Sequence, residues 1–110
     1  MRTPNAHRAE VPEEKVVSYL LSTDHPVGRH KAAFFARFGF RAERWEELAA
    51  ALRNHVSDHD PVEVTATPFG TKYAVPGPLR SPDGRNPLVR SVWIVEHGEN
   101  VPRLVTAHPD

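Results

Sequence analysis

Between His25 and Phe35 the chain reads HPVGRHKAAFF, and His25, His30 and Lys31 within it are residue types that could do chemistry on a phosphate. Histidine moves a proton near neutral pH, and a lysine can hold the charge that develops on phosphate oxygens. From His25 to Arg41 there is no acid, only Arg29, Lys31, Arg37 and Arg41, so an anionic ligand would meet cations alone. Lys31 also stands one helical turn before Phe34 and Phe35, in a stripe that Phe38 completes. A helix here would aim its ammonium towards the apolar side, near an N-terminal end that is already effectively positive. Either the stem snorkels out to water, or an anion is shared with the free N–H groups of the first turn. His25 and His30, each taken alone, equally suit a structural hydrogen bond in a turn before or after proline.

Three further groups of residues carry chemical potential. In the closing segment RLVTAHP, strand alternation puts Leu104, Thr106 and His108 on one face, with Thr106 as a hydrogen-bonding group and His108 as a second candidate for proton transfer. Arg80, Arg85 and Arg90 surround the turn SPDGRN and are candidates for holding substrate phosphate. His55 and His59 have the i, i+4 spacing that can hold a metal from a helix, but no third ligand is evident, and a histidine near a helix C-terminus is favourable without one. No metal and no cofactor are therefore expected. The chain has no cysteine, hence no thiolate nucleophile, disulfide or cysteine zinc site, and it lacks glycine-rich phosphate loops and G-x-S-x-G elbows.

The elements that must position these residues are legible from periodicity. Pro12 and two acids open a helix over roughly 12–22, with Val16, Val17, Leu20 and Leu21 at helical spacing. A second helix runs from Gly28 or Arg29 to Phe38 and ends at Gly39 in a left-handed conformation. The third, AERWEELAAALRNHV, lines up Trp45, Leu48, Ala49, Leu52 and Val56. After Asp60-Pro61 the period falls to two, and four strands follow: Val62 to Thr67, KYAV, PLVRSVWIVE and RLVTAHP. The expectation is an α+β domain, about three N-terminal helices packed on a four-stranded antiparallel sheet. Trp45, Leu48, Leu52, Phe34, Phe35, Val64, Tyr73, Val92, Trp93 and Ile94 are expected to be mostly buried, with Trp93 and its neighbours Val92 and Ile94 able to face opposite sides of the sheet.

A length of 110 residues implies a single domain spanning 1–110, with residues 1–10 loosely ordered. Zero net charge argues against coating nucleic acid nonspecifically, yet the charge is segregated. Residues 43–66 carry six acids against two arginines, while residues 68–95 carry four cations against Asp83. No apolar run is long enough for a membrane span or a signal peptide, so the expected location is the cytoplasm.

The stretches HPVGRHKAAFFARFGF, GTKYAVPGPLRSPDGR and VRSVWIVEHGENVPRLVTAHP, with the leading PNAHRAE, resemble a family of small bacterial proteins known mainly as a domain of unknown function. Its pattern is H-P-x-G-x-x-K-A-x-F-F, a hairpin with G-R, then T-V-W and a closing L-V-T-A-Y-P. The layout also resembles the barnase, EndoU, colicin D and RelE group of toxin nucleases, which cleave RNA without metal through attack of the ribose 2′-OH on the adjacent phosphate. That resemblance implies RNA as substrate, a small antitoxin or immunity protein as partner, and His25, Lys31 and Thr106 as the matching polar positions. The sequence departs from the pattern at His108, where the family has Tyr, and at Ser91, where Thr is commoner. A non-catalytic module that binds nucleic acid or protein is the alternative reading.

Overall fold

The computed structural model describes all residues from 1 to 110. Glu13 and Glu14 follow Pro12 and complement the positive end of α1 (Glu13–Lys15). Without a break α1 widens into a π-helical turn (Val16–Leu20), closed by a 2.7 Å bond from the Leu21 N–H to the Val16 carbonyl. The wider turn buries Val16 and Leu20 completely and leaves Tyr19 half-buried, so the regular helix expected over 12–22 is interrupted where it meets the sheet edge. Such π turns recur at functional positions.

α2 (Arg29–Arg37) buries Ala32 and Phe35. Gly39, at φ 99°, ends it as expected. The Gly39 N–H donates to the Ala36 carbonyl and the Phe40 N–H to the Phe35 carbonyl, and the Phe35 and Phe40 rings pack 6.0 Å apart. After a 3-10 turn (Ala42–Arg44), α3 (Trp45–Asp58) buries Leu48, Ala49, Ala51, Leu52, His55 and Val56 on one side.

β1 (Glu63–Thr67), β2 (Gly70–Pro78), β3 (Leu88–Glu96) and β4 (Arg103–Pro109) form an antiparallel meander in the order β1-β2-β3-β4. The architecture is the expected α+β arrangement. Helices cover one sheet face, where Val75, Val89, Trp93, Leu104 and Ala107 are buried against Phe35, Leu48 and Leu52. The other face is open.

Four details differ from the sequence reading. Val64 is 49% exposed, because β1 is an edge strand paired only with β2 while the helices sit over β2, β3 and β4. Phe34 and Trp45 are half-buried; Val92 and Ile94 are too, in keeping with the expectation that they face the opposite side of the sheet from Trp93. Residues 1–10 are docked: Thr3, Ala6 and Ala9 are buried, and Glu10 bridges to Arg103. Leu104 does not share a face with Thr106. A bulge between Val92 and Trp93 in the β3–β4 register pairs Leu104 with core-facing Trp93 but Thr106 with Val92 and His108 with Arg90. One extra residue in the strand resets its alternation, which pattern counting cannot anticipate.

Candidate functional site

The bulge brings Thr106 to the open face beside the π turn that carries Tyr19. The Tyr19 hydroxyl and Thr106 Oγ1 are 3.1 Å apart, a hydrogen bond joining residues 87 positions distant. Lys31 Nζ lies 5.3 Å from the Tyr19 ring centroid and Lys15 Nζ 5.5 Å from it. The Lys31 stem follows the apolar stripe of α2, and its ammonium ends against a phenol that it stabilises as phenolate. Burial by itself would push the Tyr19 hydroxyl up. The Thr106 hydrogen bond, hydrogen bonding and charge from Lys31, and charge from Lys15 outweigh that and hold it below its ordinary value.

His25 packs edge-on against the same ring, with centroids 5.0 Å apart. Its Nδ1 accepts from the backbone N–H groups of Val27 at 3.1 Å and Gly28 at 3.0 Å. A nitrogen that accepts from two N–H donors carries no hydrogen, so the neutral ring bears its proton on Nε2 and presents a donor. Gly28 completes the clamp: a Cβ there would stand 2.2 Å from the Tyr19 carbonyl oxygen and 3.1 Å from its ring. The HPVG turn thus fixes the ring of His25 and lets α2 begin hard against Tyr19.

This cluster edges an open cleft of about 890 Å³ on the uncovered face of the sheet, lined by Lys15, Tyr19, His25, Thr106, Phe69, Lys72, Ile94 and Arg103 together with Glu14, Ser18, Glu96, Leu104 and Val105. Arg103 is 3.8 Å from Glu96, whereas Lys15, Lys31 and Lys72 have no carboxylate partner.

Of the residues singled out from the sequence, the fold brings together His25, Lys31 and Thr106. His108 lies on the same face two residues beyond Thr106, next to Arg90, and is half-buried. Its Nδ1 is 3.0 Å from the Pro109 carbonyl, which can only accept, so the neutral ring leaves Nε2 free as an acceptor. Arg90 is drawn to Asp110 at 3.1 Å. His30 is exposed on α2 and does not line the cleft. Arg80 pairs with Asp58 at 3.6 Å in a separate, smaller depression beside His55 and His59. Arg85 is bound to Asp83 at 2.6 Å and lies over the Phe38 ring. In His55 both ring nitrogens are committed, Nδ1 to Ser91 Oγ at 2.8 Å and Nε2 to the Gly77 carbonyl at 2.9 Å, and no three side chains of His, Asp or Glu converge as metal ligands.

Tyr19 and Lys15 were not among the residues that the sequence suggested. They sit at i, i+4 in EEKVVSYLL, so a shared helical face was readable. What could not be read was the π turn and the partner strand that give this face something to meet.

The comparisons agree with this fold. No curated protein matches the sequence. Among solved structures, one chain of a contact-dependent growth inhibition toxin–immunity protein complex from Klebsiella pneumoniae 342 superposes with a TM-score of 0.74, over 96% of this chain and 97% of that one, at 17% sequence identity. At that identity the likeness is one of fold. No helix is long and apolar enough to cross a membrane. A family model, Domain of unknown function (DUF6883), matches residues 2–110, and the chain belongs to that family.

Proposed function

We propose that this protein is a toxin-type, metal-independent endoribonuclease, acting by attack of a ribose 2′-OH on the adjacent phosphate and controlled by a small immunity protein. The observation that carries the reading is the Tyr19–Thr106 hydrogen bond set beside two lysines at the rim of an open cleft. The fold shared with a chain of a toxin–immunity complex supports the toxin setting.

The reaction needs an acceptor for the 2′-OH proton, a donor for the departing 5′-oxygen and cations for the charge gathering on phosphate. His108, with Nε2 free, takes the proton as the 2′-oxygen bonds to phosphorus. Tyr19, whose ionisation is eased by Thr106, Lys31 and Lys15, gives its proton to the 5′-oxygen as the P–O5′ bond breaks. Thr106, the hydrogen-bond partner of Tyr19, and His108 are two residues apart on one strand face, about 7 Å along it. His108 lies in the adjoining depression that Lys72 and Arg90 also line, and the reacting phosphate spans that interval. His25 Nε2–H and the Lys31 ammonium stabilise its non-bridging oxygens. The products are a 2′,3′-cyclic phosphate and a free 5′-hydroxyl.

The test is incubation of purified protein with total RNA in EDTA. Fragments ending in 2′,3′-cyclic phosphate, lost in Tyr19→Phe, are expected. A folded protein that leaves RNA intact, or that cuts only with added metal, would overturn the proposal.

The solved complex contains both a toxin and its inhibitor, and fold alone does not say to which of them this chain corresponds in role. That favours one second reading, a non-catalytic module whose open sheet face binds a partner. Intact RNA together with stoichiometric capture of a toxin domain would select it.

A further inference from the structure

Phe69 stands in the turn between β1 and β2 and is 75% exposed, the only large exposed apolar side chain that lines the cleft. Its backbone is nevertheless tied on both sides. The Phe69 N–H donates to Thr67 Oγ1 at 3.2 Å, the Gly70 N–H donates to the same oxygen at 3.2 Å, and the Phe69 carbonyl accepts from the His97 N–H at 3.1 Å. An aromatic ring held in water on a fixed backbone forgoes the burial that usually stabilises it, which makes it a candidate contact for something outside the fold. Beside it the sheet register sets Lys72, Ile94 and Arg103 in one cross-strand row, an apolar side chain between two cations. Lys72 has no carboxylate partner, and Arg103 faces Glu96 across 3.8 Å in an exposed pair that a phosphate can replace. A planar apolar ring next to paired positive charges matches one ligand chemistry, a nucleobase joined to its phosphate.

We propose that Phe69 and Ile94 form a nucleobase-stacking subsite, with Lys72 and Arg103 holding the attached phosphate, so that the cleft accepts RNA as a single strand. This rests on the reading of the cleft as an RNA site. A base inside a duplex shows its face only to its neighbours in the stack, so a ring that takes that face selects unpaired substrate. Phe69 then sets where along the strand the reacting phosphate lies.

The probe is a short, fluorescently labelled 2′-O-methyl RNA, which lacks the nucleophilic hydroxyl and can bind without being cut, presented single-stranded and as a duplex. Cleavage of unmodified RNA is followed in parallel. Phe69→Ala is expected to weaken single-strand binding about tenfold, Phe69→Trp to preserve it, and the duplex to bind far more weakly than the single strand. The turn hydrogen bonds use backbone atoms and Thr67, so both variants should fold, and circular dichroism checks this. Unchanged binding in Phe69→Ala, or equal affinity for duplex, overturns the subsite even if the wild-type protein cuts RNA. Phe69-dependent binding without any cleavage upholds the subsite and overturns the nuclease reading. A wild-type protein that neither binds the probe nor cuts RNA overturns both.

Discussion

Two polar clusters, each containing a histidine, lie on opposite faces of the same sheet and are satisfied to different degrees. On the helix side His55 and Ser91 are buried, and their network is closed. Gly77 accepts from His55 Nε2, Ser91 donates to His55 Nδ1, and Trp93 Nε1 donates to Ser91 Oγ at 2.8 Å. Every polar atom of these three side chains has a partner within the protein. On the open side Tyr19 and Thr106 pair with each other and Lys31 leans on the same phenol, but Lys15 and Lys31 have no carboxylate partner and His25 Nε2 turns its donor away from the turn that holds Nδ1. Complete internal pairing stabilises a fold, whereas unpaired donors gathered around a shifted phenol are what a ligand would use. Titratable residues alone do not mark a site; their unspent hydrogen-bonding capacity does.

The sharpest way to break this contrast is to remove charge from the open cluster. Lys31→Met keeps the stem that packs along α2 and deletes the ammonium, so thermal stability should stay close to the parent. RNA cleavage should fall by about a hundredfold, the size expected for losing one charge-stabilising contact at a reacting centre. The Tyr19 phenolate should also appear at higher pH, since one of the interactions lowering it is gone, and ultraviolet titration reads this directly. A folded variant with unaltered cleavage would mean that the lysine only snorkels and that the open cluster is as structural as the closed one.

The closed cluster should respond in the opposite way. Ser91→Ala leaves Trp93 Nε1–H without an acceptor and His55 Nδ1 without a donor among buried side chains. The expected cost is about 1–3 kcal/mol for leaving buried polar groups unpaired. Chemical denaturation should show that loss while cleavage per folded molecule is unchanged. Reduced activity in protein that is still folded would tie the two faces together and remove the distinction.

Acid sharpens the same contrast without mutation. Burial pushes His55 down; the Gly77 hydrogen bond acts in the other direction but does not restore it. In the unfolded chain the ring takes up a proton as the pH drops through about 6.5, while in the folded chain it does so only at lower pH. The stability associated with His55 is thus fully present above the unfolded value. It is lost progressively as pH falls from there to the lowered folded value. His55→Asn should flatten that part of the stability–pH curve, and an unchanged slope would show that other groups govern it.

The sequence revealed the skeleton of both clusters unevenly. Helical and strand periodicity placed Leu48, Leu52, Trp93 and the four-strand order, because each depends on local spacing repeated along an element. His25, Lys31 and Thr106 were candidates from the sequence, Lys31 because it is a cation on an apolar stripe, and the fold gathers all three around Tyr19. The role of Tyr19 depends on an i to i+5 turn and a one-residue bulge in β4, each a single local departure from the period that pattern reading assumes. The His55–Ser91–Trp93 network joins α3 to β3 across the core, so spacing suggested a metal pair where long-range packing had already used both nitrogens.

The smallest expected effect concerns Arg80, which stands apart from both clusters. Its side chain is 75% exposed, and its ion pair with Asp58, itself 50% exposed, has a length of 3.6 Å. Water and salt screen such a pair, so Arg80→Ala should change stability by no more than about 0.5 kcal/mol. The depression that Arg80 lines faces α3 and the His55 side, not the cleft that holds Lys15, Tyr19 and Thr106. Cleavage should accordingly stay within about twofold of the parent, the scale of a distant surface charge acting through screened electrostatics. RNA is a long polyanion, however, and the exposed guanidinium can exchange Asp58 for a phosphate if the strand continues around the sheet edge. A severalfold rise in KM with unaltered kcat in Arg80→Ala would therefore trace the substrate path beyond the open face, and would make the depression beside His55 part of the binding surface.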